Sequence, residues 1–241
     1  MALYDEIRAL YEGAFAGEDA RFTDALFAAY FPHALRVIEA DGKPVSMLFS
    51  IPYPVVSGDT VLDARYLYGI ATDPAYRGRG YARELIGREA AAHPVFLRPM
   101  SEGLFAFYQK AGLLPFSPIE TLCGAARAEG DAAVELLTPA AYLALRDKKL
   151  PVAHCRMSEQ FLGVAASTGG MLACGDAVSL FDREGDTVLF KEWWGDPALA
   201  PHVAAQLQAA RYELRLPRAD GTPFGVMRGL PQDAVFLAAM D

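Results

Sequence analysis

Apolar positions open this chain at helical spacing. In "LYDEIRALYEGAF" Leu3, Ile7, Leu10, Tyr11 and Phe15 fall near one stripe, and in "DARFTDALFAAYF" Phe22, Leu26, Phe27 and Tyr30 do the same ahead of Pro32. Two amphipathic helices are therefore expected at the start. The period then shortens. "LRVIEADGKPVSMLFSIPY" holds two strand-like runs around Asp41-Gly42, a strong short hairpin signal, and "ARYLYGIAT" reads as a third strand after a polar turn at Ser57-Gly58-Asp59. Beyond "RGRGYA", Tyr81, Leu85 and Ile86 line one helical face, and that helix should stop before Pro94. A short strand "VFLRP" and a short helix "SEGLFAFYQKAG" follow, with Ser101 at the N-cap and Gly112 at the end.

Near residue 120 the texture changes to "CGAARAEGDAA", a turn or the seam between domains, and the boundary is placed there: domains 1–120 and 121–241. The second half predicts a helix around "TPAAYLALRD", short strands through "GVAASTGGMLACGDAVSLFD", the turn "DREGD" and the strand "TVLFKEWW". Strand, Asp-Pro, helix, strand and a closing Leu-Arg dyad occur in the same order in both halves, at "ATDPAYRGRGYARELIG…VFLRP" and at "WWGDPALAPHVAAQL…YELRLP". Only the first copy carries the arginine-glycine loop. Two readings follow: two related α/β units, or two unrelated mixed domains.

Composition narrows the class. Of 241 residues 53% are hydrophobic and 22% charged, enough to bury a substantial core. A net charge of −8 with scattered basic residues argues against nucleic acid and favours cationic small molecules. Cys123, Cys155 and Cys174 form no C-x-x-C pair, the start lacks a signal-peptide core and no apolar run reaches the roughly 18 residues of a membrane span, so a reduced, cytoplasmic protein without membrane association is expected. His33, His93, His154 and His202 stand far apart, without metal-ligand spacing.

The loop carries the chemistry. A helix N-terminus leaves backbone N–H groups unpaired and partially positive, Gly78 and Gly80 let an anion approach them, and Arg77 and Arg79 add full charges. This suits a pyrophosphate. A dinucleotide G-x-G-x-x-G would need glycine where Arg83 stands, and no G-x-x-x-x-G-K-[ST] loop occurs.

"RGRGYA" resembles the R-x-x-G-x-A/G signature of the GCN5-related N-acetyltransferases (GNAT), and "LFAFYQKAGL" resembles their following F-Y-x-K-x-G-F segment, with Leu113 in place of the usual aromatic. The resemblance covers about the first 120 residues; the second half is similar to the degenerate partner domain of tandem members, including the enhanced-intracellular-survival type. It implies an α/β (α+β) fold of two tandem acyl-CoA N-acyltransferase-like domains, each a mixed central sheet flanked by helices. It also implies acetyl-CoA as cofactor, with Ile70, Ala71 and Thr72 pairing with the pantetheine arm and Arg77, Gly78, Arg79, Gly80, Tyr81 and Ala82 taking the pyrophosphate. The acceptor would be a primary amine, in a small molecule or a peptide.

Acetyl transfer needs a neutral amine, a stabilised oxyanion and a proton for the departing thiolate. Tyr108 is the candidate acid, since the matching family tyrosine often has that role; its spacing from Leu104 and Ala111 equally fits a core aromatic. Asp241, at the terminus, is a candidate proton acceptor by similarity to the tandem relatives, although the tail lacks their terminal aromatic. Trp193 and Trp194 read as packing residues on a strand, one inward and one outward, and Met47 and Phe49 as core. A different class stays open: a non-catalytic acyl-CoA-binding sensor or scaffold.

Overall fold

The computed structural model describes residues 2–128, 130, 132–151, 153–237 and 240. Asp241 therefore lies outside the described residues. The chain divides into two compact units, Met1–Phe116 with Gly225–Gln232, and Ser117–Phe224 with Asp233–Asp241. A single cut at residue 120 misses the return of 225–232 to the first unit. Of "CGAARAEGDAA", Cys123, Gly124 and Ala125 end a strand that begins at Leu114, and the described residues from 126 to 133 are outside any helix or strand.

In the first unit, helices α1 (Ala2–Ala14) and α2 (Ala20–Tyr30) precede strands β1 (Leu35–Ala40) and β2 (Lys43–Pro52). Asp19 caps α2 by accepting from the Arg21 N–H at 2.8 Å. The β1–β2 hairpin turns on Asp41 and Gly42, both at positive φ, the backbone a two-residue turn of this kind requires. A small hairpin, β3 (Val55–Ser57) and β4 (Thr60–Leu62), occupies the segment expected as a plain turn. Then come β5 (Arg65–Thr72), α3 (Tyr81–Ala92), β6 (Val95–Leu97) and α4 (Glu102–Lys110), the last capped by the Ser101 hydroxyl.

The sheet of this unit runs β1-β2-β5-β6, and β6 is followed by Val226–Arg228 from a late strand. Eight consecutive residues of β2 are buried, because helices cover it on both faces. Tyr11, Phe27 and Phe49 form the aromatic core on the α1 side, with ring centroids 5.4–6.4 Å apart. Leu48, Leu67, Leu85, Ile86 and Tyr108 form the core on the α3 side. Leu3, expected on the apolar stripe of α1, is 43% exposed.

In the second unit the strands are β7 (Leu114–Ala125), β8 (Val134–Leu136), β9 (Ala153–Cys155), β10 (Gly169–Cys174), β11 (Ala177–Glu184), β12 (Thr187–Trp194), β13 (Arg211–Pro217) and β14 (Thr222–Arg228). β7 and β14 cross the boundary between the units. Helices α5 (Pro139–Arg146), α6 (Glu159–Ala165) and α7 (Ala200–Gln206) accompany them, and the sheet order is β7-β13-β12-β11-β10-β8. "GVAA", expected to begin a strand, belongs to α6: Ser158 caps that helix at 3.0 Å and Phe161, Leu162, Val164 and Ala165 are buried, a helical rather than an alternating spacing. Trp193 and Trp194 are both buried, so neither faces outward; α7 packs on the side of Trp193, and a strand covered on both faces has no outward position.

The repeat seen in the sequence has a structural counterpart. β5 leads through a one-turn 3-10 helix, Pro74–Tyr76, to α3 and a parallel β6; β12 leads through Pro197–Leu199 to α7 and a parallel β13. Asp73 and Asp196 each accept from the N–H two residues on, both at 2.9 Å. These turns thus use one local device twice.

Candidate active site

The parallel pairing of β5 with β6 extends over only two residue pairs, Arg65↔Val95 and Tyr66↔Phe96. In the second unit the matching β12–β13 pairing covers four. Beyond Tyr66 the strands part, so among the described residues Ile70, Ala71 and Thr72 have no strand partner on the β6 side. These residues border a cleft of about 590 Å³.

A β-bulge shapes this edge. Opposite Met47 and Phe49 of β2 stand Ala71 and Tyr68, so Gly69 and Ile70 together oppose Leu48. Gly69 has φ +62, and a Cβ placed there would lie 2.9 Å from Tyr11 Cε2. Only glycine serves both the dihedral and the approach. Glycine inside the strand pattern "YLYGIAT" was the sequence signal for this bulge.

At one end of the cleft the loop after β5 delivers α3. Gly78 and Gly80 hold φ of +77 and +86, with no atoms crowding where a Cβ would stand, so the glycines meet a backbone requirement and leave room outside it. Gly80 occupies the N-cap without a side-chain cap, and the first helical bond runs from Glu84 N–H to the Gly80 carbonyl at 2.9 Å. The N–H groups of Tyr81, Ala82 and Arg83 consequently have no intrahelical acceptor, and these three residues line the cleft.

Tyr76 braces the loop. Its hydroxyl donates to Asp41 at 2.6 Å, and Arg79 stacks over its ring at 4.7 Å while donating to the Ala75 carbonyl at 3.4 Å. Arg79 is thereby drawn to Tyr76 and does not line the cleft. Arg77 does; its Nε donates to the Thr72 carbonyl at 3.2 Å, and its exposed side chain also borders a second recess of about 420 Å³ along α1.

The opposite wall comes from α4, through Leu104, Phe107 and Tyr108. Tyr108 is 6% exposed and packs edge-on to Phe107, centroids 5.2 Å apart. Burial pushes its phenol up to about 12, so it is a proton donor throughout the neutral range. Core packing and cleft lining hold together for this residue. Ala14 and Phe15, at the end of α1, close the cleft on the remaining side and were not among the residues expected from sequence, nor were Arg83 and Leu104.

A pyrophosphate-bearing thioester donor fits these features on physical grounds. An uncapped helix N-terminus with arginine beside it accepts phosphate, and an unpaired strand edge accepts amides as an added strand would. Among the described residues no group of three His, Cys, Asp or Glu side chains is placed to hold a metal ion, and no helix is long and apolar enough to cross a membrane.

Residues 2–110 match the family model described as an acetyltransferase (GNAT) domain. No curated protein matches the chain. Among solved structures, a conserved Enterococcus faecalis V583 protein of unknown function superposes with a TM-score of 0.70 at 14% identity, covering 93% of this chain and 69% of its own. A GCN5-related N-acetyltransferase from Kribbella flavida gives 0.68 at 13%, covering 94% and 69%, and Eis1 from Mycobacterium abscessus gives 0.63 at 12%, covering 96% and 70%. At such identities the likeness is one of fold. The sequence match identifies residues 2–110 as a GNAT-family acetyltransferase domain, in a chain that shares its fold with these solved structures.

Proposed function

We propose that the chain transfers the acetyl group of acetyl-CoA directly to a primary amine, with Tyr108 as general acid. The observation that carries this reading is the convergence on one cleft of the unpaired edge of β5, the uncapped start of α3 and the buried phenol of Tyr108. In this reading the amides of Ile70–Thr72 hold the pantetheine arm and the N–H groups of Tyr81–Arg83, with Arg77, hold the pyrophosphate. The attacking amine must be neutral, since its lone pair forms the new C–N bond. As that bond forms, the carbonyl oxygen gains charge, and the Ile70 N–H at the bulge is the donor we assign to it. The C–S bond then breaks, and the thiolate takes the proton of Tyr108 as the amine proton leaves to solvent.

Tyr108→Phe keeps the ring and deletes the proton. Turnover should fall roughly 100- to 10,000-fold, with acetyl-CoA affinity nearly intact. Thiol-release kinetics over a panel of amines, paired with calorimetric titration of acetyl-CoA, separates the two effects. Wild-type turnover in the folded variant would reduce Tyr108 to packing, and acetyl-CoA binding without thiol release toward any amine would make the wild-type protein a binding module.

A further inference from the structure

Asp41 and Lys43, at the turn of the β1–β2 hairpin, reach the segment that leads into α3, although neither lines the cleft that holds Tyr108. The Asp41 carboxylate accepts from the Tyr76 hydroxyl at 2.6 Å across 35 positions, and the Lys43 ammonium donates to Asp73 at 3.1 Å. Two cations meet the ring of Tyr76, Lys43 at 5.1 Å and Arg79 at 4.7 Å from its centroid. Asp73 in turn accepts from the Ala75 N–H. The residues just ahead of the arginine-glycine loop are thus tied to a turn far from them in sequence.

The second unit makes the same Asp-Pro turn without this tie. Its hairpin turn Gly175-Asp176 stands in the place of Asp41-Gly42, and Asp196-Pro197-Ala198-Leu199 in the place of Asp73-Pro74-Ala75-Tyr76. Asp196 accepts from the Ala198 N–H at the 2.9 Å that Asp73 keeps to Ala75. Leu199 has no hydroxyl, however, and Asp176 accepts instead from the backbone N–H of Asp196 at 3.3 Å. Forming the turn therefore does not require a tyrosine–carboxylate bond. What differs is the chain downstream: Arg77-Gly78-Arg79-Gly80 follows Tyr76, whereas Ala200-Pro201 follows Leu199. Gly78 and Gly80, both at positive φ, give the first loop conformational freedom that an anion site must remove, and an outside restraint removes it before the anion binds.

We propose that Asp41, acting through Tyr76, is a positioning residue for the coenzyme: it holds the backbone from Arg77 to Gly80 in its anion-binding form in advance of the ligand. This rests on the pyrophosphate reading of that loop, not on acetyl transfer. Charge alone predicts the opposite sign. An anion near a pyrophosphate site repels the ligand, so its removal should tighten binding, whereas loss of a positioning bond weakens it.

Calorimetric titration of the full chain with acetyl-CoA separates the two. Asp41→Gly keeps the positive φ and deletes the acceptor; Asp41→Asn tolerates that φ, deletes the charge and keeps a carbonyl for the Tyr76 hydroxyl. Asp41→Gly should weaken binding about tenfold, whereas Asp41→Asn should bind at least as tightly as wild type. Tyr76→Phe should match Asp41→Gly, and the double variant should be no weaker than either alone. In thiol-release assays the Asp41→Gly loss should fall on KM for acetyl-CoA, with kcat within about twofold of wild type. If Asp41→Gly does not fold, Tyr76→Phe set against Asp41→Asn decides the same point. Binding by the folded Asp41→Gly and Tyr76→Phe variants at wild-type strength or tighter, an equal loss in Asp41→Asn, or a loss confined to kcat overturns the role of Asp41. Wild-type protein that binds no acetyl-CoA removes the pyrophosphate reading together with it, whereas wild-type binding that both deletions leave unchanged removes the role of Asp41 alone.

Discussion

Gly69→Ala tests the physical basis of the cleft. The substitution puts a side chain at φ +62, which costs about 1–2 kcal/mol for a residue with a Cβ. The same Cβ would stand 2.9 Å from Tyr11 Cε2 and 3.3 Å from Phe49 Cδ2. Neither ring can retreat cheaply: Tyr11 and Phe49 are fully buried, and Tyr11 is tied to Glu18. Overpacking of this kind adds about 1–3 kcal/mol, for a total of roughly 2–5 kcal/mol. Tryptophan fluorescence cannot report it, because Trp193 and Trp194 both lie in the second unit. Native-state hydrogen exchange of the β2 and β5 amides does; where they open by unfolding of the first unit, their exchange should accelerate roughly 30- to 4,000-fold. Gly87→Ala is the control, in the exposed middle of α3 with nothing within 4 Å of its Cβ, and should stabilise by about 0.5–1 kcal/mol. Exchange in Gly69→Ala within about threefold of wild type would refute the claim that glycine is required at the bulge.

Arg77→Glu places an anion beside the pyrophosphate position and should weaken acetyl-CoA binding by about 1–3 kcal/mol in calorimetry; unchanged affinity would remove Arg77 from the site. The pH profile of turnover should rise between pH 7 and 10 as the amine loses its proton, with no alkaline fall from Tyr108 before about pH 12, because burial raises its folded-state value to that level. By linkage, the same shift contributes stability that is fully present below pH ~10 and lost progressively as the pH rises from there through about 12. In the second unit, Arg146 donates to both carboxylate oxygens of Glu192 at 2.7 and 2.8 Å with both residues at most 2% exposed, so Arg146→Met should destabilise by about 3–5 kcal/mol in chemical unfolding, and a change below 1 kcal/mol would contradict that role.

What the sequence made legible was whatever had a local cause. Helix α1 and the strand Thr187–Trp194 follow from periodicity, and the Asp41-Gly42 and Gly78/Gly80 turns from glycine at positions that need positive φ. Of the residues that line the cleft, Ile70, Ala71, Thr72, Arg77, Gly78, Gly80, Tyr81 and Ala82 were named through a short motif and the family it resembles, and Tyr76 was not. Contacts of long sequence separation were not legible. Tyr68 reaches Glu18 across 50 positions, and the bulge in β5 exists only in its register against β2. The placement of "GVAA" in a helix turned on one serine cap, and the stacking of the Arg79 guanidinium on the ring of Tyr76, three residues away, had no sequence signal.

The central claim, that acetyl-CoA lies along β5 and against the start of α3, is tested most directly by amide hydrogen exchange of the full chain with and without acetyl-CoA. The account predicts new protection at Ile70–Thr72 and at Tyr81–Arg83, saturating at one acetyl-CoA per chain. Binding that leaves both segments unprotected, or protection concentrated instead around Pro197–Gln206, would contradict it.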